Sequence, residues 1–122
     1  MKTVLVVDDE QNVRLLVNKI LSNKYIIIEA GDGVEAVAAA RSKLPDIILM
    51  DIMMPRMDGY SACSAIKSDP ATREIPVIMV TALSQNMNEI LAKTLGADGY
   101  IIKPFNQAEL LTTIGKFFKN QT

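Results

Sequence analysis

The chain has no histidine and only one cysteine, Cys63. Without an imidazole, serine-histidine triads, the commonest general base and most zinc sites are unavailable. A single thiol forms no internal disulfide, which fits a reducing compartment. Its small neighbours in SACSAI read as a buried helical position rather than a reactive thiol. A long apolar run is also missing. MKTVLVVDDE carries one lysine and a short apolar stretch before two acids, far short of a signal peptide or a membrane span, so a soluble, cytoplasmic chain with no membrane partner is expected. Neither sign of charge dominates, with 13 Lys plus Arg against 14 Asp plus Glu. No basic field exists to hold phosphate backbones, which argues against direct nucleic-acid binding. No linker, repeat or low-complexity stretch interrupts the 122 residues, so one domain over 1 to 122 is expected, long enough for a full core.

What is present is a set of short, β-branched runs: TVLVV (3 to 7), YIIIEA (25 to 30), DIILM (46 to 50), PVIMV (76 to 80) and YII (100 to 102). They are continuous rather than alternating, the pattern of parallel strands covered on both faces. Helically spaced apolar stripes lie between and after them. These are Val13, Leu16, Val17, Ile20 and Leu21; Val34, Val37, Ala38 and Leu44; Tyr60, Cys63 and Ile66; Met87, Ile90, Leu91 and Leu95; and Leu110, Leu111, Ile114, Phe117 and Phe118. Alternating strands and helices imply βαβ crossovers, hence a parallel sheet with helices on both faces. Turn signals at Gly31-Asp32-Gly33, Asp58-Gly59, Asp69-Pro70 and Gly96 fall at the joints.

In such a sheet, ligands bind beyond the carboxyl ends of the strands. Asp8 and Asp9 follow the first run, Asp51 the third, Thr81 the fourth and Lys103 the fifth, while Glu29 and Asp32 near the second rank lower. Singly, each has an ordinary reading: a helix cap for the acid pair, a turn acid, a strand terminus, a solvated lysine. Together they converge on one edge. Two like charges about 4 Å apart repel by roughly 4 kcal/mol at an effective dielectric of about 20, so three carboxylates in one cleft need a cation or raised pKa values. Oxygen-only ligation without His or Cys suits Mg²⁺. A carboxylate, Mg²⁺, a lysine and a hydroxyl form a usable phosphoryl-transfer site, with an aspartyl phosphate as product.

VVDDE (6 to 10), AGDGVEA (30 to 36), ILMDIMMPRMDG (48 to 59), VTA (80 to 82) and GADGYIIKPF (96 to 105) resemble, over essentially the whole chain, the receiver domain of bacterial two-component response regulators. The resemblance implies a doubly wound, flavodoxin-like α/β sheet of order 2-1-3-4-5. It implies Asp51 as phosphoacceptor, Asp8 and Asp9 with Asp51 and the Met53 carbonyl as Mg²⁺ ligands, and Lys103 as the cation on the phosphoryl group. Thr81 would donate its hydroxyl to a phosphoryl oxygen, Tyr100 would change rotamer with it, and the Lys103-Pro104 bond would be cis, which X-Pro bonds permit at small cost. Since the chain lacks histidine, the donor would be a phosphohistidine on a sensor histidine kinase or histidine phosphotransfer protein, with the downstream effector unnamed.

Phosphorylation adds nearly two negative charges, which Thr81 and Lys103 can engage if their loops move. The expected readout face is the fourth helix, fifth strand and fifth helix, with Gln85, Asn86, Glu89, Lys93 and Tyr100 contributing. Leu15, off the main stripe of the first helix, is a candidate contact for the donor. Met53 and Leu83, apolar where water must approach, imply slow self-hydrolysis and no turnover enzyme. Three rivals remain: a flavodoxin-like cofactor carrier, which would need a phosphate cradle where two acids stand; a Mg²⁺-dependent phosphatase, which would need an acid where Met53 stands; and an interaction domain with no chemistry. Met1 and the polar ending KNQT (119 to 122) mildly favour a free-standing unit over an excised piece.

Overall fold

A computed structural model describes residues 1 to 118; the KNQT ending lies outside the described residues. The chain alternates β1 (Thr3–Val7), α1 (Gln11–Leu21), β2 (Ile26–Ala30), α2 (Gly33–Lys43), β3 (Ile47–Asp51), α3 (Gly59–Ser68), β4 (Val77–Thr81), α4 (Gln85–Leu95), β5 (Gly99–Ile102) and α5 (Gln107–Phe117). The strands form one parallel sheet in the order β2-β1-β3-β4-β5.

Successive strand side chains point to opposite faces, and both faces are covered. Leu5, Val7, Ile48, Met50, Val77 and Met79 pack with Ala36 and Ala40 of α2 and Ala62, Cys63 and Ile66 of α3. The alternate set, Val4, Val6, Ile47, Leu49, Ile78 and Val80, packs with Val17 and Leu21 of α1 and Leu110 and Ile114 of α5. That is why the runs are apolar without a break. Burial also pushes the Cys63 thiol up to about 11, which suits the inert helical position its neighbours implied.

Two strand ends shift in a way that concerns the site. Asp51 and Thr81 are not beyond their strands but are the last residues of β3 and β4, paired in register with Val80 and Ile102 respectively. Sheet hydrogen bonding therefore fixes the backbone beneath both side chains.

Three stripes differ from the sequence reading. In α2 the buried residues are Gly33, Ala36 and Ala40, while Val34, Ala38 and Leu44 are exposed. The helix lies too close to its neighbours for large side chains: a Cβ on Gly33 would sit 2.4 Å from the Met57 carbonyl oxygen, which accepts the Gly33 N–H at 2.9 Å. In α1, Leu16 is 54% exposed, as open as Leu15 at 55%. In α4, Met87 and Ile90 face outward, and the buried position is Asn88.

Capping explains the helix starts. The side chains of Asp32, Asp58, Ser84 and Asn106 accept the N–H groups of Glu35, Ser61, Met87 and Glu109. The exception is α1, whose N-cap position, Glu10, makes no side-chain cap bond.

Candidate functional site

At the carboxyl ends of β3 and β4 a cleft of about 230 Å³ is lined by Glu10, Asp51, Met53, Tyr60, Thr81, Leu83 and Lys103, among others. Lys103 Nζ donates to Asp51 Oδ1 at 3.0 Å and lies 3.6 Å from Asp8 Oδ2. Burial alone would lower the lysine's pKa, but the Asp51 hydrogen bond and the charges of Asp51 and Asp8 outweigh it and hold the ammonium above its ordinary value.

Asp8 is 3% exposed. Burial raises its pKa, and the nearby charges of Asp51 and Asp9 add to the rise, against the Glu10 N–H, which donates to Asp8 Oδ1 at 2.9 Å, and against Lys103. Asp8 is thus not the cap of α1: its carboxylate binds an amide one residue ahead of the helix. Its own N–H donates to the Ala30 carbonyl at 3.1 Å. The guanidinium of Arg14 donates to the Asp8 carbonyl at 2.7 Å while its Nε pairs with Glu29 at 3.0 Å.

Asp9 is exposed beside Asp8, and one carboxylate oxygen from each of Asp8, Asp9 and Glu10 lies within 4.8 Å of the others. A donor set of carboxylates alone, with one acid's pKa raised chiefly by burial and a single ammonium nearby, is short of positive charge and fits a hard divalent cation.

Thr81 lines the cleft, yet its Oγ1 accepts the Leu83 N–H at 2.9 Å, and no hydrogen bond joins it to Asp51 among the described residues. Met53 lies at the mouth, 81% exposed. Tyr100 is not in the cleft. It is half-buried against the core and borders a groove of about 470 Å³ with Ile102, Asn106, Glu109 and Thr113. The Lys103-Pro104 peptide is cis.

The sequence matches the response regulator receiver domain family over residues 4–115. This chain belongs to that family. Over 112 residues it is 45% identical to response regulator PleD of Caulobacter vibrioides, which covers 91% of this chain and 25% of that protein. The receiver thus spans about a quarter of that relative's length. CheY4 of Vibrio cholerae, a chemotaxis response regulator, superposes with a TM-score of 0.90 at 33% identity, covering 96% of this chain and 98% of that one. The receiver domain of the sensor histidine kinase PA1611 of Pseudomonas aeruginosa PAO1 does so with a TM-score of 0.88 at 29% identity, covering 98% of each chain, and holds a magnesium ion coordinated in its active-site cleft. The receiver reading and the 2-1-3-4-5 sheet expected from the sequence are both borne out. Among the described residues no helix is long and apolar enough to cross a membrane.

The receiver also brings forward residues the sequence reading passed over. Glu10 completes the acidic trio, and its adjacency in VVDDE was the available signal. Gly59 was read as half of a turn, but a Cβ there would lie 2.1 Å from the Asp51 carbonyl oxygen. Arg56, at φ 64, pairs with Asp32 and reaches Glu35 at 3.4 Å, so Asp32 ties two loops together instead of facing the cleft. Glu29 is likewise engaged by Arg14 and Asn18.

Proposed function

We propose that this receiver accepts a phosphoryl group on Asp51 from a phosphohistidine of a partner kinase or phosphotransfer protein. The observation that carries the reading is the Lys103 ammonium set between Asp51 Oδ1 and Asp8 Oδ2, with Asp51 otherwise open to the cleft. One Asp51 carboxylate oxygen attacks phosphorus; the P–N bond to the partner's imidazole breaks, and the electron pair leaves with the ring nitrogen. Lys103 releases its Asp51 oxygen and binds the equatorial phosphoryl oxygens as charge accumulates there. Asp8, Asp9 and Asp51, with the Met53 carbonyl, are the residues that would hold Mg²⁺. When bound, the ion supplies charge neutralisation of the transferring group. Thr81 gives its hydroxyl to a phosphoryl oxygen, Tyr100 follows on the β5 side, and the surface of α4, β5 and α5 carries the signal.

Leu16 lines a groove of about 520 Å³ with Val13, Lys103, Pro104 and Phe105, and its exposed neighbour on α1 is Leu15. That apolar rim suits an amphipathic helix of the donor. Residues 1 to 122 act as one receiver unit that turns over no substrate of its own.

Incubation with acetyl phosphate and Mg²⁺, followed by intact mass, tests the reading. A gain of one phosphoryl group is expected, lost in Asp51→Asn and on chelation of Mg²⁺. Absence of the gain, or its survival in Asp51→Asn, overturns it.

A further inference from the structure

Six polar or charged side chains are buried among the described residues: Asp8, Asp32, Asp51, Thr72, Thr81 and Asn88. Asp51 and Thr81 line the cleft, Asp8 lies beside it 3.6 Å from Lys103, Asp32 caps α2, and the Thr72 hydroxyl donates to the Ile66 carbonyl at 2.8 Å. Asn88 is different, because it is the buried residue of α4, a place where an apolar side chain would stabilise more. Its Nδ2 donates to the Leu83 carbonyl at 3.0 Å. The N–H of that same Leu83 donates to Thr81 Oγ1. Residue 83 is therefore gripped from both sides, by the candidate switch hydroxyl through its N–H and by α4 through its carbonyl. The apolar anchoring of the helix is thin, since Met87 and Ile90 point outward and Leu91 and Leu95, the latter packed against the core, are only half-buried. Elements with few buried apolar contacts are the ones that move at low cost.

We propose that Asn88 is the positioning residue that couples Thr81 to α4. When the Thr81 hydroxyl turns to a phosphoryl group on Asp51, the Leu83 N–H loses its acceptor and residue 83 shifts. The Asn88 tie to its carbonyl carries that shift into the helix. The second half of this rests on the reading of Asp51 as phosphoacceptor; the tie itself does not.

The tie is tested without phosphate by a double-mutant cycle of Thr81→Val and Asn88→Leu, followed by denaturant unfolding. Because each substitution removes one of two grips on the same residue, Leu83, the double variant is expected to change the unfolding constant at least threefold less than the product of the single changes. Multiplicative effects overturn the proposal. Asn88→Ala replaces the leucine variant if the latter does not fold. Coupling is then read by amide hydrogen exchange with acetyl phosphate and Mg²⁺, alongside intact mass. In the unsubstituted protein, exchange should change over both 81–84 and 85–95. In the Asn88 variant, phosphate uptake and the change at 81–84 persist while at least half the response of 85–95 disappears. An undiminished response of 85–95 overturns the coupling. If the unsubstituted protein takes up no phosphate, the reading of Asp51 fails, and the cycle alone decides the tie.

Discussion

Gly59 shows how much of the site is decided by single atoms. Its N–H donates to the Ile52 carbonyl at 2.8 Å, and a Cβ would stand 2.1 Å from the Asp51 carbonyl oxygen, so α3 begins in direct contact with the backbone of the candidate acceptor. Gly59→Ala must push either the helix or the end of β3 aside. A loss of roughly 1–3 kcal/mol in denaturant stability, the usual range for overpacking, is expected together with slower phosphate uptake from acetyl phosphate. Alanine at unchanged stability and rate would show that the contact is slack. The gathering of Asp8, Asp9, Asp51, Thr81 and Lys103 at one edge was legible because each stands at or just after the end of a strand in a parallel sheet. Gly59, Arg14 and Asn88 were not, since what matters in each is a distance to another element, which no local pattern encodes.

Among the elements, the strands were easiest to read, because burial on both faces leaves an unbroken apolar run in the sequence. Helix faces were harder. Placing the largest apolar residues inward fails for α2, where close approach to the loop after β3 requires Gly33, the core takes Ala36 and Ala40, and Val34 is exposed. Ala40→Leu is therefore expected to lower stability by about 1–3 kcal/mol, whereas Val34→Ala should stay within about 0.5 kcal/mol of the parent. The reverse order in a denaturant series would restore the larger-residue stripe. That same loop is fastened to α2 by Arg56 and Asp32. The Glu35 N–H bond, against burial and with help from Arg56, holds the Asp32 carboxyl below its ordinary 3.8. A depressed folded value means a contribution that is present above the unfolded value and lost as the pH falls through the folded one. Because Arg56 is mostly exposed, Arg56→Ala should cost no more than about 1 kcal/mol at neutral pH. The difference from the parent should fade in acid, once Asp32 is protonated in both proteins. A gap that grows in acid would contradict the assignment.

For the molecule as a whole, the buried carboxylate of Asp8 opposes folding. Asp8 has its pKa raised above 3.8, chiefly by burial, so the folded state binds its proton more tightly than the unfolded chain does. At neutral pH the ionised carboxylate therefore destabilises the fold, and protonation relieves this as the pH falls through the raised value, opposite in sign to Asp32. Asp8→Asn imitates the protonated form and keeps Oδ1 as acceptor for the Glu10 N–H. It is expected to raise stability by roughly 0.5–2 kcal/mol, the gain common for single stabilising substitutions. A cation that binds the folded state alone should do the same for the unsubstituted protein. Mass action gives about 2.7 kcal/mol at a hundredfold excess over the dissociation constant, and chelation should reverse it. The two stabilisations are alternatives, because Asp8→Asn removes a carboxylate that would hold the ion. Thermal melts of both proteins with and without Mg²⁺ then separate the causes: the parent should rise toward the variant on adding Mg²⁺, and the variant should not move. A variant that melts lower than the parent without metal, or that gains as much from Mg²⁺, would mean that burial of Asp8 is not what sets the balance between stability and charge in this cleft.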